Sequence, residues 1–207
     1  MVMSANEYHF VTQWRVESTP EEVAEILGDA ADLPRWWPSV YLEVKVLEPG
    51  DQSGIGRVVD LYTKGWLPYT LRWQFRVTSV DPHKRIELEA QGDFVGRGIW
   101  TFEPDPNDSK WVNVTYDWKI RAEKPLLRTL SPLLKPIFGV NHQWAMARGY
   151  ESLLLEIQRR RAPTPRERSL VPAPPPPTTS SPLPMLIGGG AVFWIIYVVI
   201  RALMRGG

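Results

Sequence analysis

The chain has no cysteine, three histidines in 207 residues and a formal net charge of only +1. Without cysteine there is no disulfide, no thiolate nucleophile and no thiolate-bound metal, and either redox compartment is compatible with the composition. His9, His83 and His142 follow neither an HxH nor an HExxH spacing, so no metal site is expected. A charge this close to zero lacks the basic field that nucleic acid selects, so nucleic acid is not an expected partner. Residues 1–8 lack a basic region followed by an apolar one, which predicts that the domain stays in the cytoplasm. Gly92, Gly96 and Gly98 do not join a strand to a helix, so no nucleotide cofactor is expected. They read instead as places where an antiparallel sheet bends or bulges.

The C-terminal part has a different composition. From Leu183 to Ile200 no residue is charged, and Ala202 to Met204 continue the apolar run past Arg201. Eighteen helical residues reach about 27 Å, close to the hydrocarbon thickness of a bilayer. Residues 183–204 are therefore predicted to form one transmembrane helix, making a single-pass, tail-anchored membrane protein. Residues 162–182 are rich in Pro, Ser and Thr, including Pro174 to Pro177, and read as an extended spacer. Arg159, Arg160, Arg161, Arg166 and Arg168 lie on the domain side of the apolar run, a bias that also favours a cytoplasmic domain. These arginines either complement the end of a helix or meet anionic lipid.

Residues 1–161 carry the pattern of one α+β domain. Tyr8 to Glu17 has strand composition, with His9 placed before the strand proper. Ser18-Thr19-Pro20-Glu21-Glu22 supplies a cap, an early proline and acids for a first turn, so a helix runs from here to about Leu27. Leu33-Pro34-Arg35-Trp36-Trp37-Pro38 reads as a second short helical turn, with one indole facing the core and the other a cavity mouth. About six strands follow, separated by turn residues. In one of them Tyr69, Leu71, Trp73, Phe75 and Val77 alternate with polar residues; in another Val112, Val114, Tyr116, Trp118 and Ile120 do so. Beyond Pro125 the period lengthens to that of a helix, with Met146, Tyr150, Leu153 and Ile157 on one face. Pro132 and Pro136 are expected to break its first turns, so that the continuous part begins near Asn141.

Several of these segments are familiar together: Pro20-Glu21-Glu22-Val23, the Leu33 to Pro38 segment, Gly96-Arg97-Gly98-Ile99-Trp100-Thr101-Phe102, Val114-Thr115-Tyr116-Asp117-Trp118 and the closing helix. In this order they resemble the START-like (SRPBCC) superfamily, in its polyketide cyclase/dehydrase and lipid-transport branch, from about Tyr8 to Arg161. The resemblance implies a helix-grip fold, a curved antiparallel sheet wrapped around a long C-terminal helix. It also implies a pocket between the two for lipids, isoprenoids or polyketide-like molecules, but no particular reaction.

Ten tryptophans are available to line such a pocket. The expected cavity residues are Trp37, Trp66, Tyr69, Trp73, Trp100, Tyr116, Trp118, His142 and Met146, with Trp36 and Trp144 as further indoles that fill core volume or approach the rim. Gly65-Trp66-Leu67-Pro68 reads as an apolar hairpin tip that gates the pocket, touches the bilayer or packs on a neighbouring loop. His142 and Tyr116 are the candidate catalytic groups, and with Asn141 they equally serve to orient a ligand carbonyl or hydroxyl. Strand alternation turns Asp117 away from Tyr116 and Trp118, outside the pocket. Three functions fit: a membrane-held binder of an apolar small molecule without catalysis, a cyclase or dehydratase, and an interaction module whose cavity is filled by its own indoles. The sequence names no protein partner.

Overall fold

The computed structural model describes residues 6–178. Strand β1 (Glu7–Glu17) leads into helix α1 (Pro20–Gly28), a single turn of 3-10 helix (Ala30–Asp32) and the four-residue α2 (Leu33–Trp36). Strands β2 (Tyr41–Glu48), β3 (Val58–Lys64), β4 (Thr70–Asp81), β5 (Arg85–Gly92), β6 (Phe94–Pro104) and β7 (Trp111–Ala122) follow, then helices α3 (Pro125–Arg161) and α4 (Pro165–Leu170). The strands form one antiparallel sheet in the order β1-β7-β6-β5-β4-β3-β2. Each neighbour from β2 to β7 follows from a hairpin, and β1 returns to close against β7. His9 lies within β1, opposite Lys119, rather than ahead of it.

Local chemistry starts the elements where the sequence signals them. Thr19 caps α1 by accepting from the Glu22 amide, Pro20 occupies the first turn, and Val23, Ala24 and Ile26 are buried. On β7 the alternate residues Val112, Val114, Tyr116, Trp118 and Ile120 are buried, in one core with Met146, Leu153 and Ile157 of α3. Gly149 permits the closest approach of that helix: a Cβ there would lie 2.1 Å from the Trp37 ring. Gly96 and Gly98 introduce no bulge, since the registers of β6 with β5 and β7 are unbroken. Gly98 instead leaves room for Tyr116, whose hydroxyl lies 2.7 Å from where a Cβ would stand.

The helix α3 does not begin near Asn141. It runs unbroken for 37 residues from Pro125, through Pro132 and Pro136. Each interior proline removes one helix hydrogen bond, a cost of about 3 kcal/mol. Tertiary contacts oppose it: Leu127 and Ser131 are buried, the Ser131 hydroxyl donates to the Leu127 carbonyl at 2.6 Å, and Tyr8 of β1 donates to Ser131 Oγ at 2.6 Å. Phe138 adds edge contacts to Tyr8 and Tyr69.

The stretch 162–182 also differs from a plain spacer at its start. Thr164 and Glu167 form a reciprocal capping box around Pro165, which nucleates α4. Arg159 then ties the following chain back by donating to the Pro172 carbonyl at 2.8 Å. Among the described residues no helix is long and apolar enough to cross a membrane. The predicted transmembrane segment, 183–204, lies outside the described residues.

Candidate functional site

A cavity of about 120 Å³ lies between the sheet and α3. β1, β2, β3, β4, β6 and β7 supply one wall, because their inward residues share the sheet face that α3 covers. Trp37, Tyr69, Trp73, Tyr116, Trp118, His142 and Met146 line it, seven of the nine residues expected there. Trp66 does not: it sits on the β3–β4 hairpin, 40% exposed. Trp100 faces the same side of the sheet but lies behind Tyr116, on which it stacks at 4.0 Å, and borders a smaller void of about 60 Å³. Trp37, Tyr41, Trp73 and Tyr116 line both voids and so form the partition between them. Trp36 is fully buried in the core, and Trp37 reaches the cavity interior rather than its mouth. Trp144 lies on α3 beneath Arg148 and away from the cavity lining.

Polar groups in this wall are few. His142 stacks on Phe10 at 4.1 Å, and its Nε2 is buried without a hydrogen-bond partner. Burial lowers the imidazole pKa to about 4, so the ring is neutral at physiological pH. Tyr116 is pushed well above the usual phenol range, first by burial and then by Tyr41 nearby. Its hydroxyl suits hydrogen-bond donation and not proton abstraction. Asn141 accepts from the Leu67 amide at 3.2 Å, which ties the hairpin tip to α3 at the cavity edge.

Thr63 and Lys64 also line the cavity, and both were missed by sequence reasoning. Thr63 Oγ1 accepts from the Trp73 indole at 3.1 Å, and Lys64 is only 6% exposed. Beside Gly65, a lysine has the pattern of a solvated turn; no local signal announces its burial.

The lining contains no carboxylate. Asp117 faces outward, 3.0 Å from His9 Nε2 and 3.6 Å from Lys119. Among the described residues no group of three or more His, Asp or Glu side chains is placed to hold a metal ion. The arrangement is therefore a mainly apolar, aromatic cavity with one buried lysine, Lys64, and two buried ring nitrogens without a partner on lining residues, His142 Nε2 and Trp37 Nε1.

A seven-stranded antiparallel sheet, a long closing helix and an apolar void between them define a START-like helix-grip protein. The model of the polyketide cyclase/dehydrase and lipid transport family matches residues 8–160, and the chain belongs to that family. Among solved structures, the Zhui aromatase/cyclase from Streptomyces sp. R1128 is similar with a TM-score of 0.56 and 18% identity, over 74% of this chain and 95% of that one. Protein TTHA0849 from Thermus thermophilus gives 0.57 and 16%, over 72% and 99%. The di-domain ARO/CYC BexL from the BE-7585A biosynthetic pathway gives 0.54 and 13%, over 83% of this chain and 52% of that one. At these identities the likeness concerns the fold. No curated protein matches the sequence.

Proposed function

We propose that this domain binds an apolar, ring-bearing small molecule between the sheet and α3, without catalysing a reaction, and that residues 183–204 hold it at a membrane with the domain on the cytoplasmic side. The observation that carries the binding reading is the pair of unpartnered ring nitrogens, His142 Nε2 and Trp37 Nε1, on residues that line a mainly apolar cavity. A buried polar atom with no partner is costly, about 1–3 kcal/mol, and a ligand hydroxyl or carbonyl relieves that cost. Volume limits the occupant. About 120 Å³ compares with roughly 150 Å³ for an engineered apolar cavity that takes benzene, and falls below the roughly 300–1,000 Å³ of ordinary ligand pockets. One ring fits the closed void; a lipid, isoprenoid or polyketide-like molecule needs the partition of Trp37, Tyr41, Trp73 and Tyr116 to shift.

Two of the similar structures are named as an aromatase/cyclase and an ARO/CYC protein. A cyclase or dehydratase activity is less well supported for this chain, because its cavity lacks a carboxylate and the His142 pKa of about 4 lies far from the value a general base needs near neutrality. The small volume favours a second reading, an interaction module with a filled cavity. Native mass spectrometry of the gently desalted protein separates the two. Retention of an apolar mass supports binding. An empty protein that no aromatic or aliphatic probe stabilises against heat leaves the filled module. Protection of the domain from protease in sealed, right-side-out cells, with extraction from membranes only by detergent, tests the anchoring.

A further inference from the structure

At the other end of α3 a second cleft, of about 430 Å³, opens between α2, the last turns of α3 and α4. It is lined by Arg35, Glu156, Arg159, Arg160 and Arg168. Glu156 is 1% exposed, and both its oxygens are occupied. Arg35 donates to Oε1 and Oε2 at 2.6 and 2.9 Å, Arg160 to Oε1 at 2.8 Å, and Arg159 to Oε2 at 3.1 Å. Asp32 takes the remaining side of Arg35 and lies 3.8 Å from Arg160. The acid on α4 is also engaged, since Glu167 closes the capping box with Thr164. Arg168 has no ion-pair or hydrogen-bond partner for its side chain among the described residues.

Four guanidiniums thus face one cleft against two carboxylates; the buried Glu156 holds three of them in place and leaves Arg168 over. Complementing the negative end of α3 accounts for Arg159 and Arg160 alone. It does not account for Arg35 arriving from α2 or Arg168 from α4. Convergence of arginines from three elements, with N–H donors left over, is the chemistry that recognises phosphate. We propose that this cleft binds a phosphate group, with Arg168 and Arg160 as its donors and Arg35, engaged by Asp32 and Glu156, as fixed positive charge beside them. The group belongs either to a soluble phosphorylated compound or to an anionic lipid headgroup. The site is separate from the apolar cavity, and its failure or success leaves the reading of that cavity untouched.

The test uses the full chain in maltoside micelles, with two arms. In the first, thermal unfolding is followed against inorganic phosphate and against sodium chloride of equal ionic strength. Phosphate also stabilises proteins by exclusion from their surface, so the informative quantity is the difference between the wild type and Arg168→Ala. In the second, micelles mixed with equal phosphatidylcholine and phosphatidylglycerol are analysed by native mass spectrometry for retained lipid. Loss of Arg168 is expected to weaken phosphate or phosphatidylglycerol binding about tenfold, the effect of one charge-assisted contact, with most of it restored in Arg168→Lys. A response in the first arm alone assigns a soluble phosphate compound; one in the second assigns a headgroup. A wild type that responds in neither arm, or an Arg168→Ala protein identical to it, overturns the proposal.

Discussion

The middle and the C-terminal end of α3 treat buried polar atoms in opposite ways. Near its middle, His142 is neutral and leaves Nε2 without a partner; near its end, Glu156 is charged and surrounded by three guanidiniums. Burial alone would raise the Glu156 pKa, but hydrogen bonds from Arg35, Arg160 and Arg159 outweigh it and hold the carboxyl at about 2. The difference separates a structural role from a binding one. A saturated buried charge holds α2 to α3, whereas the unsatisfied His142 Nε2, unlike the equally unpartnered Trp36 Nε1 and Ser152 Oγ of the core, belongs to a residue that lines the cavity, where a ligand can meet it.

The contrast can be broken most forcefully at Glu156. Glu156→Gln removes the buried charge that three arginines share, while Arg35 keeps Asp32 and Arg159 keeps the Pro172 carbonyl, and urea unfolding should show a loss of about 2–3 kcal/mol. Gly149→Ala comes next. Alanine is the better helix former by about 1 kcal/mol, but its Cβ would lie 2.1 Å from the Trp37 ring, and overpacking at about 1–3 kcal/mol wins. The same denaturation curve should show a net loss.

Acid should then separate the two groups on one titration. The His142 pKa falls from 6.5 unfolded to about 4 folded, so its contribution is complete above pH 6.5 and lost as pH falls toward 4, at up to about 1.4 kcal/mol per unit. The Glu156 pKa falls from 4.5 to about 2, so its contribution is complete above pH 4.5 and lost toward 2. Stability measured against pH should therefore fall in two stages, and His142→Phe should erase the first. At pH 7.5 that substitution has the smallest effect, within about 1 kcal/mol, because it removes an unsatisfied atom. Apolar-ligand affinity measured in parallel should nevertheless drop.

Much of the sheet was legible because its chemistry is local. Alternation in residues 112–120 and the Thr19-Pro20 cap name a buried face and a helix start without help from distant residues. The same parity turned Trp73, Tyr116 and Trp118 to the cavity, and the helical period did so for His142 and Met146. Parity names a face and not a depth, which is why Trp100 ended behind Tyr116 and Trp66 outside. What could not be read depends on partners far apart in the chain. Tyr8 and Ser131, separated by 123 positions, help carry α3 through its prolines, and Arg35 meets Glu156 across 121 positions. No pattern in a single sequence announces either pair.

One hydrogen bond, from the Leu67 amide to Asn141, fastens the β3–β4 hairpin to α3 at the cavity edge. Its neighbours Trp66, Ile137 and Val140 are exposed and add little burial there. A bond of this kind is worth about 1 kcal/mol net, and the edge contact of Tyr69 with Phe138 adds to it. For the proposed ligand, a molecule too large for the void has its affinity reduced in proportion to the fraction of time the aromatic partition stands apart, with the hairpin fixed beside it as a rigid rim.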